Sequence, residues 1–178
     1  MKQALILHGT DGKPDSNWFP WLKAELEECD YEVWVPLLPD NHAPNRQTYN
    51  DFLLNSGHDF TDNIVVGHSS GAVEVLNLLM DERCPKIGLG VMVSAWDHML
   101  PDDGDYKQFE KLFPESGFNF DTIRQKASKL AFLHSADDPH CPLEQAEYLA
   151  KNLNAPLTII QNGDHLGDQF PQFPQLWR

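Results

Sequence analysis

The sequence predicts a three-layer α/β/α sandwich on a six-stranded parallel sheet, and three observations carry that prediction. Six short runs rich in leucine and β-branched residues alternate with longer segments of helical period, the pattern of repeated βαβ units. Several of the runs are almost continuously apolar, as strands covered on both faces must be. The chain has 178 residues, 41% of them hydrophobic, and no Pro/Gly-rich linker divides it, so one domain around one core is expected.

The strand runs are residues 4–7, 32–35, 63–66, 88–93, 129–132 and 157–160. A first helix is expected over 18–28, with Asn17 as its cap, Pro20 in its first turn, and Leu22 and Leu26 four apart on one face. Further helices are expected over 47–54, 70–80 and 143–153, with a C-terminal piece near 170–177. The connection between Ser94 and Lys129 is long and carries Trp96, Tyr106, Phe109, Phe113, Phe118 and Phe120. Two readings stand: a small lid over 95–128, or a crossover helix with an ordered loop whose aromatic rings pack into the core.

Charge and cysteine content narrow the function classes. Lys+Arg number 13 against Asp+Glu 27, a net charge of −14, which disfavours nucleic acid as a partner. The apolar stretch at 87–93 falls well short of the ~18 residues a membrane helix needs, and the first strand is too short for a signal-peptide core. Cys29, Cys84 and Cys141 form no C-x-x-C and cannot all pair, so a reducing, cytoplasmic setting is expected. Nothing in the sequence sets an oligomeric state.

The third strand runs into Gly67-His68-Ser69-Ser70-Gly71 and then a helix, the strand, turn and helix order of a nucleophile elbow. A nucleophile in so tight a turn needs small residues two places before and after it, and Gly67 and Gly71 supply them. Ser69 is therefore the expected nucleophile, while Ser70, one step into the helix, is better placed to offer its backbone N–H to an oxyanion. A serine needs a base and the base an orienting acid, both at the carboxyl edge of the sheet and in the order Ser, acid, His. Asp138 follows the fifth strand and His165 the sixth. Asp137 and Asp97 compete with Asp138; adjacent side chains point apart, and Pro139 fixes the backbone beside Asp138. His8, His68, His134 and His140 compete with His165, the histidine that follows the last strand. The loop His8-Gly9-Thr10-Asp11-Gly12 would bring the Thr10 amide beside that of Ser70 as the oxyanion hole, although two glycines also suit any tight turn.

Two other clusters point to no metal. His134, Asp137, Asp138, His140 and Cys141 are all potential ligands, but no second knuckle balances them as structural zinc requires. Asp102, Asp103 and Asp105 lack the spacing of a calcium loop and read as a solvated turn. No cofactor or metal is expected.

These residues together resemble the alpha/beta-hydrolase superfamily and, more narrowly, the small serine hydrolases similar to retinoblastoma-binding protein nine and its bacterial relatives. The resemblance rests on His8-Gly9, Trp18-Phe19-Pro20-Trp21-Leu22, Gly67-His68-Ser69-Ser70-Gly71, Asp137-Asp138-Pro139 with Pro142, and Gly163 with His165, and so spans nearly the whole chain. It implies a minimal alpha/beta-hydrolase fold with strand order 2-1-3-4-5-6 and a Ser69, Asp138, His165 triad. The implied activity is acyl-enzyme hydrolysis of a small carboxylic ester, with amide or thioester as variants; the alternative is a non-catalytic binding module on the same fold. Asp164 stands where these hydrolases often have glycine. None of the cysteines has leucine two places before it, so retinoblastoma binding is not carried over.

Overall fold

Alternate residues of the first strand part to opposite sides of the sheet: Leu5 and Leu7 join one apolar cluster, Ala4 and Ile6 the other. A computed structural model of the chain describes residues 2–98 and 106–177. The acidic stretch Asp102, Asp103, Asp105 lies outside the described residues. Six parallel strands, β1 (Lys2–Leu7), β2 (Tyr31–Trp34), β3 (Ile64–His68), β4 (Ile87–Val93), β5 (Ala127–Ser135) and β6 (Leu157–Ile160), form one sheet in the order β2-β1-β3-β4-β5-β6. Their carboxyl ends fall in register, with Leu7 beside Gly67, His68 beside Val93 and Ser135 beside Ile160. The loops that follow them therefore share one edge.

The helices are α1 (Phe19–Glu28), α2 (Arg46–Leu54), α3 (Ser70–Met80), α4 (Phe120–Gln125), α5 (Leu143–Leu153) and α6 (Pro174–Trp177). Helix α3 is buried from Ser70 to Leu79 and packs with β1 and β5 residues on one face of the sheet. Trp18, Phe19, Leu22 and Leu26 cover the other face together with Leu166 and Phe173. Each large side chain removed from water this way stabilises the fold by about 1.5–3 kcal/mol. No described helix is long and apolar enough to cross a membrane.

Three details differ from the sequence expectation. Asn17 does not cap α1: it sits at φ 54, and Trp18 occupies the capping position with no side-chain cap bond. Burial of the Trp18 ring decides the helix entry there, and its Nε1–H donates to the Leu166 carbonyl at 2.9 Å. Strand β5 extends three residues past Phe132, because Leu133, His134 and Ser135 are buried and paired on to β4 or β6 although His134 and Ser135 interrupt the apolar run. The C-terminal helix is confined to Pro174–Trp177, since Pro171 and Pro174 each remove a backbone donor that a longer helix would need.

The described part of the long connection is built as follows. It contains a 3-10 turn (Tyr106–Phe109) and α4, capped by Asn119, whose side chain accepts from the Thr122 N–H at 3.0 Å. Trp96, Phe109 and Leu112 form a separate buried cluster with Val73 of α3 and Cys141, and Phe113 and Phe118 pack against it.

Candidate active site

The tightest steric point of the sheet edge is the turn between β3 and α3. Ser69 is held there at φ 56 and ψ −125, a backbone conformation that costs an L-residue on the order of 1–3 kcal/mol. A Cβ on Gly67 would stand 2.2 Å from the Gly71 carbonyl oxygen, and one on Gly71 would stand 2.5 Å from that of Leu7. Only glycine fits either place. Ser70 begins α3, so its N–H has no acceptor within the helix and points out of the positive end of the helix dipole.

The loop after β1 approaches the same turn. A Cβ on Gly9 would come within 2.9 Å of the Ser69 Cβ, and Thr10 donates its hydroxyl to Ser70 Oγ at 2.9 Å. His8 fixes this loop from beneath. Its Nε2 accepts the Leu38 N–H at 2.9 Å, which leaves Nδ1–H to donate to the Gly9 carbonyl at 2.7 Å. Burial pushes its pKa down, so the ring is a neutral strut.

His165 follows β6, and its Nδ1–H donates to both oxygens of Asp138, at 2.9 and 3.0 Å. The Asp138 carboxylate has 0% of its side chain exposed, and its Oδ1 also accepts the N–H groups of His140 and Cys141 at 2.9 Å each. Burial alone would raise its pKa. The His165 hydrogen bond and charge, with the two amides, outweigh burial and hold the carboxyl below its usual range.

Asp137 turns the other way. Its Oδ1 accepts from Ser135 Oγ at 2.5 Å and from the N–H groups of Gly163 and Asp164 at 2.9 and 3.3 Å, clasping the loop that carries His165. The Ser135 hydroxyl is the main reason its pKa lies low. Asp97 pairs with His98 at 2.7 Å and lies on a separate concavity with Gln145 and Tyr148, away from His165.

The histidine loop is strained at three non-glycine residues, Asn162, Asp164 and Leu166, with φ of 53, 48 and 50. The left-handed conformation at Asp164 explains why glycine suits that place. Distant residues hold the loop. The His165 carbonyl accepts from His68 Nε2–H at 2.8 Å and from Ser94 Oγ at 3.3 Å, and Trp18 holds the next carbonyl. His68 is buried, which drives its pKa to about 3 and keeps it a neutral donor. These anchoring roles of His68, Ser94, Ser135 and Asp137 have no signature in the sequence, because each depends on a partner at least 25 residues away.

Ser69 and His165 line one cavity of about 290 Å³ together with Thr10, Trp96, Phe109 and Cys141. A second concavity shares Thr10, Asp11, Ser69 and His165 and adds Ser16, Asn17 and Asp168. His134 is not exposed to either: its Nε2–H donates to the Cys141 carbonyl at 2.7 Å. His140 is exposed, its ring edge-on to His165 at 5.0 Å between centroids. Of the run of potential ligands set aside on sequence grounds, Asp138 and Cys141 lie close to His165, with one donor atom of each of the three within 4.8 Å of the others. Asp138 already spends its oxygens on His165 and two amides.

A parallel sheet in this order, delivering a strained serine turn from its middle and a histidine loop from its far strand, is the architecture of the alpha/beta hydrolases. Within that class, the profile of the serine hydrolase family matches residues 4–178, and the chain belongs to that family. It is 28% identical to YdeN of Bacillus subtilis (strain 168) over 166 residues, covering 92% of this chain and 85% of the relative. The crystal structure of the ydeN gene product superposes with a TM-score of 0.87 over 99% of this chain and 95% of that one. Serine hydrolase RBBP9 of Rattus norvegicus is 22% identical over 179 residues, 99% of this chain and 92% of the relative. Est1E of Butyrivibrio proteoclasticus shares the fold at 15% identity, with a TM-score of 0.69 over 94% of this chain and 81% of that one.

Proposed function

We propose that the chain hydrolyses a small carboxylic ester through Ser69, His165 and Asp138, with an acyl-enzyme intermediate. The observation that carries this reading is the buried Asp138 holding His165 by Nδ1 while His165 and Ser69 face one cavity. With Nδ1 protonated and bound to Asp138, the Nε2 lone pair is left to take the Ser69 proton. Ser69 Oγ attacks the ester carbonyl carbon, and the oxyanion rests on the N–H groups of Thr10 and Ser70. The protonated His165 returns its proton to the leaving alcohol. A water, deprotonated by the same ring, then attacks the acyl-enzyme and frees the acid and Ser69.

The aromatic cavity at Trp96 and Phe109 suits an apolar acyl or aryl group, and the second concavity, at Asp11, Asn17 and Asp168, suits the leaving alcohol. The described residues of the 95–128 stretch, Trp96 and Phe109 among them, act as a small cover on a single domain. The three cysteines form no disulfide, which fits a reducing, cytoplasmic setting. A fluorophosphonate probe is expected to label Ser69, and Ser69→Ala to abolish both labelling and hydrolysis of a short p-nitrophenyl ester, a loss of about 10⁶-fold. Labelling that survives the substitution would overturn the assignment.

A further inference from the structure

Beside Ser69 the cavity holds a sulfur that acyl transfer leaves idle. Cys141 is 2% exposed, belongs to no disulfide and lines the same cavity as Ser69. One donor atom each from Asp138, Cys141 and His165 lies within 4.8 Å of the other two. The cluster is built into the fold rather than scattered on its surface. Asp138 is fastened to the His140 and Cys141 amides, and His134 holds the Cys141 carbonyl at 2.7 Å. His140 lines the same cavity, edge-on to His165, and His134 Nε2 lies 3.8 Å from Asp138 Oδ2.

Thiolate, imidazole and carboxylate together select a soft or borderline divalent cation over magnesium or calcium. Zinc bonds of about 2.3 Å to sulfur and 2.0 Å to nitrogen or oxygen place one sulfur and two such donors about 3.3–3.5 Å apart in a tetrahedral site. A shift of at most about 1.3 Å would close this cluster on such an ion. We propose that Asp138, Cys141 and His165 form an inhibitory site for a thiophilic divalent cation, Zn²⁺ or Cd²⁺. The ion takes no part in acyl transfer. On binding, the Cys141 thiol releases its proton to solvent, and the imidazole nitrogen that takes the ion gives up any proton it carries. His165 is then immobilised and lost as a base. Binding stands on geometry alone; the inhibitory effect rests on the function proposed above.

Calorimetric titration of the full chain with Zn²⁺, and with Cd²⁺ followed by thiolate-to-cadmium charge-transfer absorption, tests the site. The native chain and Ser69→Ala are each expected to bind one ion, with the cadmium band present, since Ser69 donates nothing to it. Cys141→Ser is expected to lose the band and to bind about tenfold or more weakly, and His165→Ala to bind correspondingly weakly. Where Cys141→Ser fails to fold by circular dichroism, His165→Ala decides. In the ester assay, Zn²⁺ is expected to inhibit the native chain, and Cys141→Ser, normalised to its own metal-free rate, to need about tenfold more ion. A chain that hydrolyses no ester still reports the site through Ser69→Ala binding. Titration without the cadmium band overturns the proposal. So does binding that survives Cys141→Ser but vanishes with His42→Ala or His98→Ala, the exposed histidines paired to Asp11 and Asp97.

Discussion

The serine turn and the histidine loop meet at one cavity, yet their strained backbones are enforced differently. At the serine turn a single residue, Ser69, carries the positive φ, and backbone atoms of Gly67, Gly71 and Leu7 leave no other geometry open. At the histidine loop Asn162, Asp164 and Leu166 all carry it, and the loop stays put through hydrogen bonds from Asp137, Ser135, His68, Ser94 and Trp18. Ser69 is thus placed by the sterics of its own turn and of the β1 backbone that passes it. His165 is placed by a set of hydrogen bonds with residues of β3 and β5, the residue after β4, and Trp18 before α1. Local strain needs only small neighbours, whereas a loop without glycine at its left-handed positions needs the rest of the fold to hold it.

Substitutions at the two carboxylates separate orientation of the base from support of its loop. Asp138→Asn is expected to lower kcat by about 10⁴-fold with the fold intact, because the amide oxygen stays on the His140 and Cys141 N–H groups and the amide NH2 then faces Nδ1, which selects the tautomer with its proton on Nε2. Asp137→Asn loosens the clasp on Gly163 and Asp164 but leaves the Asp138 pair in place. A displacement near 1 Å at His165 costs about 10²-fold, so kcat should fall by that order, and circular dichroism should show a native sheet. Equal losses from the two variants would erase the distinction.

The buried imidazole beneath the loop supplies a test by pH. His68 has its folded pKa depressed to about 3 from an ordinary value of 6.5. As pH falls below 6.5 the unfolded chain binds a proton that the folded chain refuses until about pH 3, so stability drops progressively across that window and is fully present above it. Thermal unfolding from pH 7.5 to 4 is expected to show a falling Tm, and His68→Gln, which has no such proton to bind, a shallower fall. An unchanged slope would mean that His68 is not held neutral. Asp138, whose folded pKa is also depressed, adds a loss that sets in only below its own ordinary carboxylate range. The smallest effect is expected at Asp164→Gly, where relief of the left-handed strain and the added freedom of the unfolded chain nearly offset each other. Stability should change by no more than about 1 kcal/mol in urea unfolding, with the ester rate retained.

The differing legibility of the two regions has a physical origin. Gly67, Ser69 and Gly71 stand at fixed spacing after an apolar run, and steric exclusion acts over that same spacing, so the turn could be read directly from the chain. Asp137 and Asp138 are adjacent and identical in type, and alternation along the backbone indicates that they diverge without saying which partner each meets. His68 invites a reading as base because it neighbours Ser69, while its burial among Trp18 and Phe19 makes it a neutral donor to the His165 carbonyl. Asn17 has a cap-forming side chain, and the burial of Trp18 overrides it.

By itself the sequence determined the alternation of strands and helices, the serine turn, and the loops that carry an acid and a histidine to the carboxyl edge. Those follow from short-range periodicity and sterics, which act between residues close along the chain. Only the tertiary structure decided which carboxylate meets His165, which histidines serve as neutral struts, and that Cys141 shares a cavity with Ser69. Those depend on hydrogen bonds and desolvation between segments far apart in the chain, and such forces exist only once the sheet has brought its loops to a common edge.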